Sequence, residues 1–309
     1  MNKKSIMPAA TGLNEGPHFM AETAFRFNSR ADGLSIAAWK WTPAARPRAV
    51  VQISHGLAEH ALRYRRLAAT LNEAGFAVYA NDHRGHGATI PEGGVQGDFG
   101  DAGWAGLVGD VKALTDIIRS ENDGAPVILL GHSMGSFAAQ TYLLDHSSAI
   151  DACVLSGSSD IPTIAQRAMS GADMSLGAFN AAFEPARTPF DWLSRDEAEV
   201  DKYIADPMCG FDAPPETSMS MIGGAARMGE ENEISKIRKD LPVYIFSGDK
   251  DPVGGLGMLV NMLAERLKAA GLIDMTIKLY PDGRHEMFNE INRDEVTGDL
   301  IAWIEAKGF

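Results

Sequence analysis

Only two cysteines, Cys153 and Cys209, occur among 309 residues. That number excludes a disulfide framework and a four-cysteine metal site. Cys153 stands in the apolar run Ala152-Cys153-Val154-Leu155 and reads as a buried structural thiol; a bond to Cys209 is the lesser alternative. Basic residues are scarce as well: 28 Lys and Arg stand against 41 Asp and Glu, for a formal net charge of −13. With no basic excess to neutralise phosphates, nucleic acid is excluded as a partner, and adsorption to anionic membranes is disfavoured. No apolar stretch approaches the roughly 18 residues that a bilayer span requires. The opening Met1-Asn2-Lys3-Lys4-Ser5-Ile6-Met7-Pro8 has the lysines of a signal peptide without the apolar core that should follow. The expectation is a cytoplasmic protein with no integral membrane segment. Gly254-Gly255-Leu256-Gly257 lacks the spacing and strand context of a dinucleotide loop, so no cofactor and no metal are expected.

What is present suits one large domain, or one domain with an insertion: 45% of residues are hydrophobic and 22% charged. Residues 1 to about 20 read as a loose lead-in. Thr23–Phe27 and Leu34–Trp41 read as strands joined through Asp32-Gly33, a hairpin signal. Short apolar strands then alternate with helical patterns: strands at Ala49–Ile53, Phe76–Ala80, Pro126–Leu130 and Ala152–Ser156, helices at Leu62–Ala74 and Trp104–Ser120. The alternation stops near Gly157. It resumes with a strand at Val243–Phe246, a helix over Gly257–Ala270, a strand at Met275–Leu279 and a last helix near Val296–Lys307. Such alternation implies an α/β fold, a mostly parallel sheet with helices on both faces. The stretch between holds no strand signal, six interrupting prolines, and large soft residues such as Met174, Phe179, Trp192 and Met221. The division expected is a core over 1–156 and 241–309 with a helical lid over 157–240.

The pattern that organises the chain is Val127-Ile128-Leu129-Leu130-Gly131-His132-Ser133-Met134-Gly135. A strand that turns into a helix within two residues forces the intervening serine into a strained backbone. Only residues without bulk two before and two after it, Gly131 and Gly135, permit the close approach. The hydroxyl is then pushed out at the carboxyl edge of the sheet, beside the first amides of a helix. Ser133 is thus a candidate nucleophile at an elbow.

A serine hydroxyl needs a base to take its proton, and the base needs an acid to hold its tautomer. On this type of sheet the acid follows the nucleophile and the histidine comes last. Phe246-Ser247-Gly248-Asp249-Lys250-Asp251 offers two acids in one turn; Asp251 is preferred, and spacing alone does not remove Asp249. His285, in Asp282-Gly283-Arg284-His285, lies beyond the last strand. Two backbone amides should receive the oxyanion: that of Met134, after the nucleophile, and that of Leu57, in the turn His55-Gly56-Leu57-Ala58-Glu59-His60.

These stretches, with Arg63-Tyr64 and Asp82-His83-Arg84-Gly85-His86-Gly87, resemble the monoacylglycerol lipase and lysophospholipase group of α/β-hydrolases, also grouped as serine aminopeptidase-like. The resemblance covers about residues 23 to 305, the lid matching only in position and length. It implies the α/β-hydrolase fold, with Ser133 as nucleophile, Asp251 as acid, His285 as base, and Leu57 and Met134 as oxyanion donors. It makes Glu59, His60, Arg63 and the Gly85-His86-Gly87 turn structural supports. Ser136, where many relatives have glycine, is a departure that bears on helix packing. Ala88-Thr89, where a serine is more usual, is a second, with no consequence attached.

A Met- and Phe-rich lid suits a pocket for an alkyl chain, although the same residues would also serve as the lid's own core. The substrate expected is a small-molecule carboxylic ester with an apolar acyl chain, such as a monoacylglycerol or lysophospholipid. An aminopeptidase is the alternative, and would need carboxylates near the lid for a substrate ammonium; Glu184, Asp191, Asp196, Glu197 and Asp201 are available. A non-catalytic binding protein of the same fold is a third reading, which the intact set of residues disfavours. Nothing in the sequence sets an oligomeric state.

Overall fold

The computed structural model describes residues 21–309; the lead-in and the signal-peptide reading of residues 1–20 lie outside the described residues. β1 (Ala21–Asn28) and β2 (Ser35–Thr42) form the expected hairpin, pairing antiparallel from Ala21–Thr42 to Asn28–Ser35. Then come β3 (Val50–Ser54), α1 (Arg65–Glu73), β4 (Ala77–Asn81), α2 (Gly103–Glu121), β5 (Val127–His132), α3 (Met134–His146) and β6 (Ala152–Ser156). After β6 the chain runs through α4 (Ile161–Met169), α5 (Glu197–Ala205), α6 (Pro215–Ala226) and α7 (Glu231–Ile234) with no strand, and returns as β7 (Val243–Gly248), beside β6. The rest is α8 (Met258–Ala269), β8 (Met275–Tyr280) and α9 (Arg293–Ala306).

The eight described strands join one sheet in the order β1-β2-β4-β3-β5-β6-β7-β8. β2 meets β4 antiparallel, and every pair from β4 to β8 is parallel. Strands β3 to β7 are buried along their whole length, which is why they read as unbroken apolar runs and not as alternating ones. Alternate side chains feed two cores. One holds Leu129, Leu155 and Ile245 with Leu107 and Leu114 of α2, Ala138 and Tyr142 of α3, and Leu263 of α8. The other holds Leu130, Val154 and Phe246 with Leu67 and Leu71 of α1 and Val296, Leu300 and Ile304 of α9. This is the α/β-hydrolase arrangement. No described helix is long and apolar enough to cross a membrane.

The sheet order also locates the site. From β3 the chain winds outward to β4, and then crosses to the other side of β3 to lay down β5. At that reversal the loops after β3 and β5 diverge, leaving a crevice at the carboxyl ends of the strands. Ser54 pairs in register with Gly131, so the turn after β3 lies beside the residue that follows β5.

Candidate active site

β5 ends at His132 and α3 begins at Met134, which leaves Ser133 alone to make the turn. Its backbone sits at φ 51°, ψ −123°, a region that a residue with a Cβ enters only when its surroundings force it. The Ser133 amide donates to Ser156 O at 3.0 Å, tying the turn to β6. A Cβ on Gly131 would lie 2.4 Å from Gly135 O, and one on Gly135 would lie 1.9 Å from Ser54 O. Both glycines are therefore sterically required. Ser136 does not loosen the packing: its Oγ donates to Ser133 O at 2.6 Å and accepts from Ser158 Oγ at 2.8 Å.

Asp251 lies in the turn after β7, fully buried. Both of its oxygens stand 3.0 Å from His285 Nδ1. Ser247 Oγ donates to Oδ2 at 2.6 Å and the Val253 amide to Oδ1 at 2.9 Å, so the carboxylate cannot rotate away. Burial pushes the Asp251 carboxyl up, but His285 and these donors outweigh it, and the net direction is below the ordinary value. Burial pushes the His285 imidazole down, and the facing carboxylate reverses that, for a net rise. Asp249 points elsewhere: its Oδ1 accepts from the Asp282 amide at 2.8 Å, bracing the neighbouring turn. Of the two acids that spacing leaves open, the structure brings Asp251 to the histidine. His285 Nε2, the other ring nitrogen, is buried and makes no hydrogen bond, so the Ser133 hydroxyl is not bonded to it in this conformation. The rings of Trp192 and His132 lie 4.9 and 4.8 Å from the His285 ring, fixing its plane. Neither neighbour stands out in the sequence, because only the fold brings them to the histidine.

The turn after β3 is held by neutral histidines. His55 Nδ1–H donates to Gly56 O at 2.8 Å, while its Nε2 accepts from the His83 amide at 3.0 Å. His86 repeats the pattern, donating to Arg84 O at 3.0 Å and accepting from the Ala58 amide at 3.2 Å. Burial keeps both uncharged, pushing His86 down to about 4 and His55 well below its ordinary value. The Gly56 amide goes to Glu59 Oε1 at 2.5 Å. With its neighbours on both sides so engaged, the Leu57 amide has no acceptor among the described residues, and neither has that of Met134 at the start of α3. Glu59 also accepts from Tyr64 Oη and Arg63, each at 2.8 Å. Arg63 in turn forks onto Glu286 at 2.6 and 2.8 Å, linking the turn to the residue after His285.

Beside Ser133 opens a cavity of about 150 Å³. Leu57, Met134, Phe137 and Val253 line its base, Ile161, Ile164, Ala165 and Ala168 of α4 one wall, and Met221, Ile222 and Ala225 of α6 another. Met174, Leu176, Phe179 and Trp192 complete it. The polar groups in the lining are the hydroxyls of Ser133 and Ser218 and the indole N–H of Trp192, and none of the lining side chains is charged. None of the five acids weighed for an ammonium site is among the lining residues. Asp191 braces the Arg187-Thr188 turn, Asp196 caps α5 and pairs with Arg293, and Asp201 pairs with Arg187.

Comparison with known proteins agrees with this architecture. The profile of the family described as serine aminopeptidase, S33 (Hydrolase_4) matches residues 45–292. A monoacylglycerol lipase of Mycolicibacterium smegmatis is 32% identical over 281 residues, 88% of this chain and 93% of that protein. The mouse monoglyceride lipase is 27% identical over 96% of this chain and 93% of its own. Among solved structures, a thermostable carboxyl esterase of Bacillus coagulans, crystallised with glycerol, superposes with a TM-score of 0.81 at 31% identity, covering 93% of this chain and 99% of that one.

Proposed function

We propose that this chain, which belongs to the serine aminopeptidase S33 family of α/β-hydrolases, hydrolyses carboxylic esters with an apolar acyl chain, of the monoacylglycerol or lysophospholipid kind, through an acyl-enzyme. That it is a carboxylic-ester hydrolase accords with its monoacylglycerol lipase and carboxyl esterase relatives. The observation that carries the finer reading is the cavity, which begins at Ser133, is lined mainly by apolar side chains and holds no charged one. An alkyl chain gains about 0.8 kcal/mol for each methylene it buries there. An ammonium group would meet no charge to offset its desolvation. That favours an ester over an aminoacyl substrate.

In this reading Ser133 Oγ attacks the ester carbonyl and its proton passes to His285 Nε2, while Asp251 fixes the Nδ1–H tautomer and stabilises the imidazolium. The oxyanion is received by the amides of Leu57 and Met134. The imidazolium returns its proton to the departing alcohol, leaving the acyl group on Ser133, and a water activated by His285 releases the acid. Residues 157–240 act as a cap: α4 and α6 supply the cavity walls, and Trp192 covers the base.

The test is kcat/KM on p-nitrophenyl esters from acetate to palmitate, with Ser133→Ala as the blank. The reading expects a maximum at medium or long chains. Equal efficiency on acetate and palmitate contradicts it, and turnover of aminoacyl arylamides in preference to any ester replaces it with the aminopeptidase.

A further inference from the structure

We propose that His60, Asp206 and Cys209 form a site for one divalent transition ion of the zinc class, which clamps the turn after β3 to the segment between α5 and α6. Among the described residues, a His60 ring nitrogen, an Asp206 carboxylate oxygen and Cys209 Sγ lie within 4.8 Å of one another. The arrangement follows from local structure. After α5 the chain makes a turn in which the Cys209 amide donates to Asp206 O at 3.0 Å, and this brings side chains three apart to one side. The Met208 amide holds Asp206 Oδ1 at 2.9 Å, leaving Oδ2 for His60 Nε2, also at 2.9 Å. One residue further on, the Gly210 amide donates to Ala58 O at 3.1 Å, so the two segments are already joined at the site's edge.

The donor set has the chemistry of such an ion. Imidazole, carboxylate and thiolate together suit Zn²⁺, with a fourth position open to water. Bonds of about 2.0 to 2.3 Å in a tetrahedron place neighbouring donors roughly 3.3 to 3.7 Å apart. The His60–Asp206 pair, at 2.9 Å, therefore opens by a few tenths of an ångström, and the pairs that involve Sγ, which lie within 4.8 Å, close by no more than about 1.5 Å. The His60 side chain is 6% exposed and that of Asp206 28%, which leaves an entry path from the Asp206 side. The surrounding charge favours a cation: Glu59 and Glu286 both bind the single guanidinium of Arg63, and Asp206 adds a third carboxylate. Binding would release the Cys209 thiol proton to solvent and move the His60 ring proton from Nε2 to Nδ1, with no change of oxidation state. Because Ala58 follows Leu57, the ion would stiffen the turn that presents the Leu57 amide.

The test uses the intact protein and needs no ester. Calorimetric titration with ZnCl₂ should show one site. Titration with Cd²⁺ should give the ultraviolet thiolate-to-cadmium band. Cys209→Ser should abolish that band, and Cys209→Ser and Asp206→Asn should each weaken Zn²⁺ binding by about tenfold or more. Cys153→Ala, which alters the other thiol, should change neither. Absence of stoichiometric binding overturns the site, and so does a loss smaller than tenfold in either variant, which marks an adventitious ion only. Asp206→Asn keeps the proposal open to refutation should Cys209→Ser fold poorly.

Discussion

His285 presents Nδ1 to both carboxylate oxygens of Asp251 at 3.0 Å, while Asp249, two residues earlier, turns to the Asp282 amide. The two acids are equivalent by spacing and different by contact. Asp251→Asn should therefore lower kcat by roughly 10⁴-fold, since the amide stabilises the wrong tautomer. Asp249→Asn keeps an acceptor oxygen for the Asp282 amide and gives up only the charge, so it should change kcat by less than about tenfold. Steady-state kinetics on both variants decides the assignment; the reverse ranking would assign the acid to Asp249.

The pH profile follows from the same pair. The reaction needs a neutral His285, so kcat/KM should fall as pH drops through the imidazole's pKa. Because the Asp251 carboxylate raises that pKa above its ordinary value, the acid limb should lie above the usual imidazole range. Asp251→Asn removes the charge and should move the limb to lower pH. A limb that stays in place in the variant would mean that another group titrates.

The cavity wall sets the acyl length in this account. Ile164 of α4 faces the cavity and is not fully buried, so Ile164→Trp can fill the space without overpacking a core. Losing room for even two methylenes costs about 1.6 kcal/mol, or roughly fifteenfold, on a long chain. The palmitate-to-butyrate ratio of kcat/KM should fall by at least tenfold, with butyrate nearly unaffected. An unchanged ratio places the acyl chain elsewhere.

Arg63 balances two mostly buried carboxylates, Glu59 and Glu286. Arg63→Met leaves both without their partner and should destabilise by about 3 to 5 kcal/mol. Calorimetry should show Tm lower by several degrees. A shift of less than one degree would show that solvent already screens the pair.

The elbow and its partners were legible because each sits at the carboxyl end of a strand whose buried apolar run is itself readable. Gly131 and Gly135 carry steric requirements that no other residue meets, so they mark the turn in the sequence. Residues 157–240 offer no such signal. Met174 and Met221 line the cavity, Met169 and Met219 are 70% and 66% exposed, and Met228 is fully buried. Their chemistry is the same, and only the packing of α4 against α6 distinguishes them. Ile161, Ile164 and Ser218 escape a composition-based reading for the same reason. The pairing of His60 with Asp206 spans 146 residues, a separation over which no local pattern reports.

In the proposed mechanism Ser133 carries the acyl group. Intact-mass and peptide mass spectrometry, after reaction with a p-nitrophenyl phosphonate bearing a long alkyl chain, tests it most directly. One phosphonyl group on the peptide containing Ser133, absent from Ser133→Ala, is the predicted result. Labelling of another residue, or ester turnover that survives in Ser133→Ala, would contradict it.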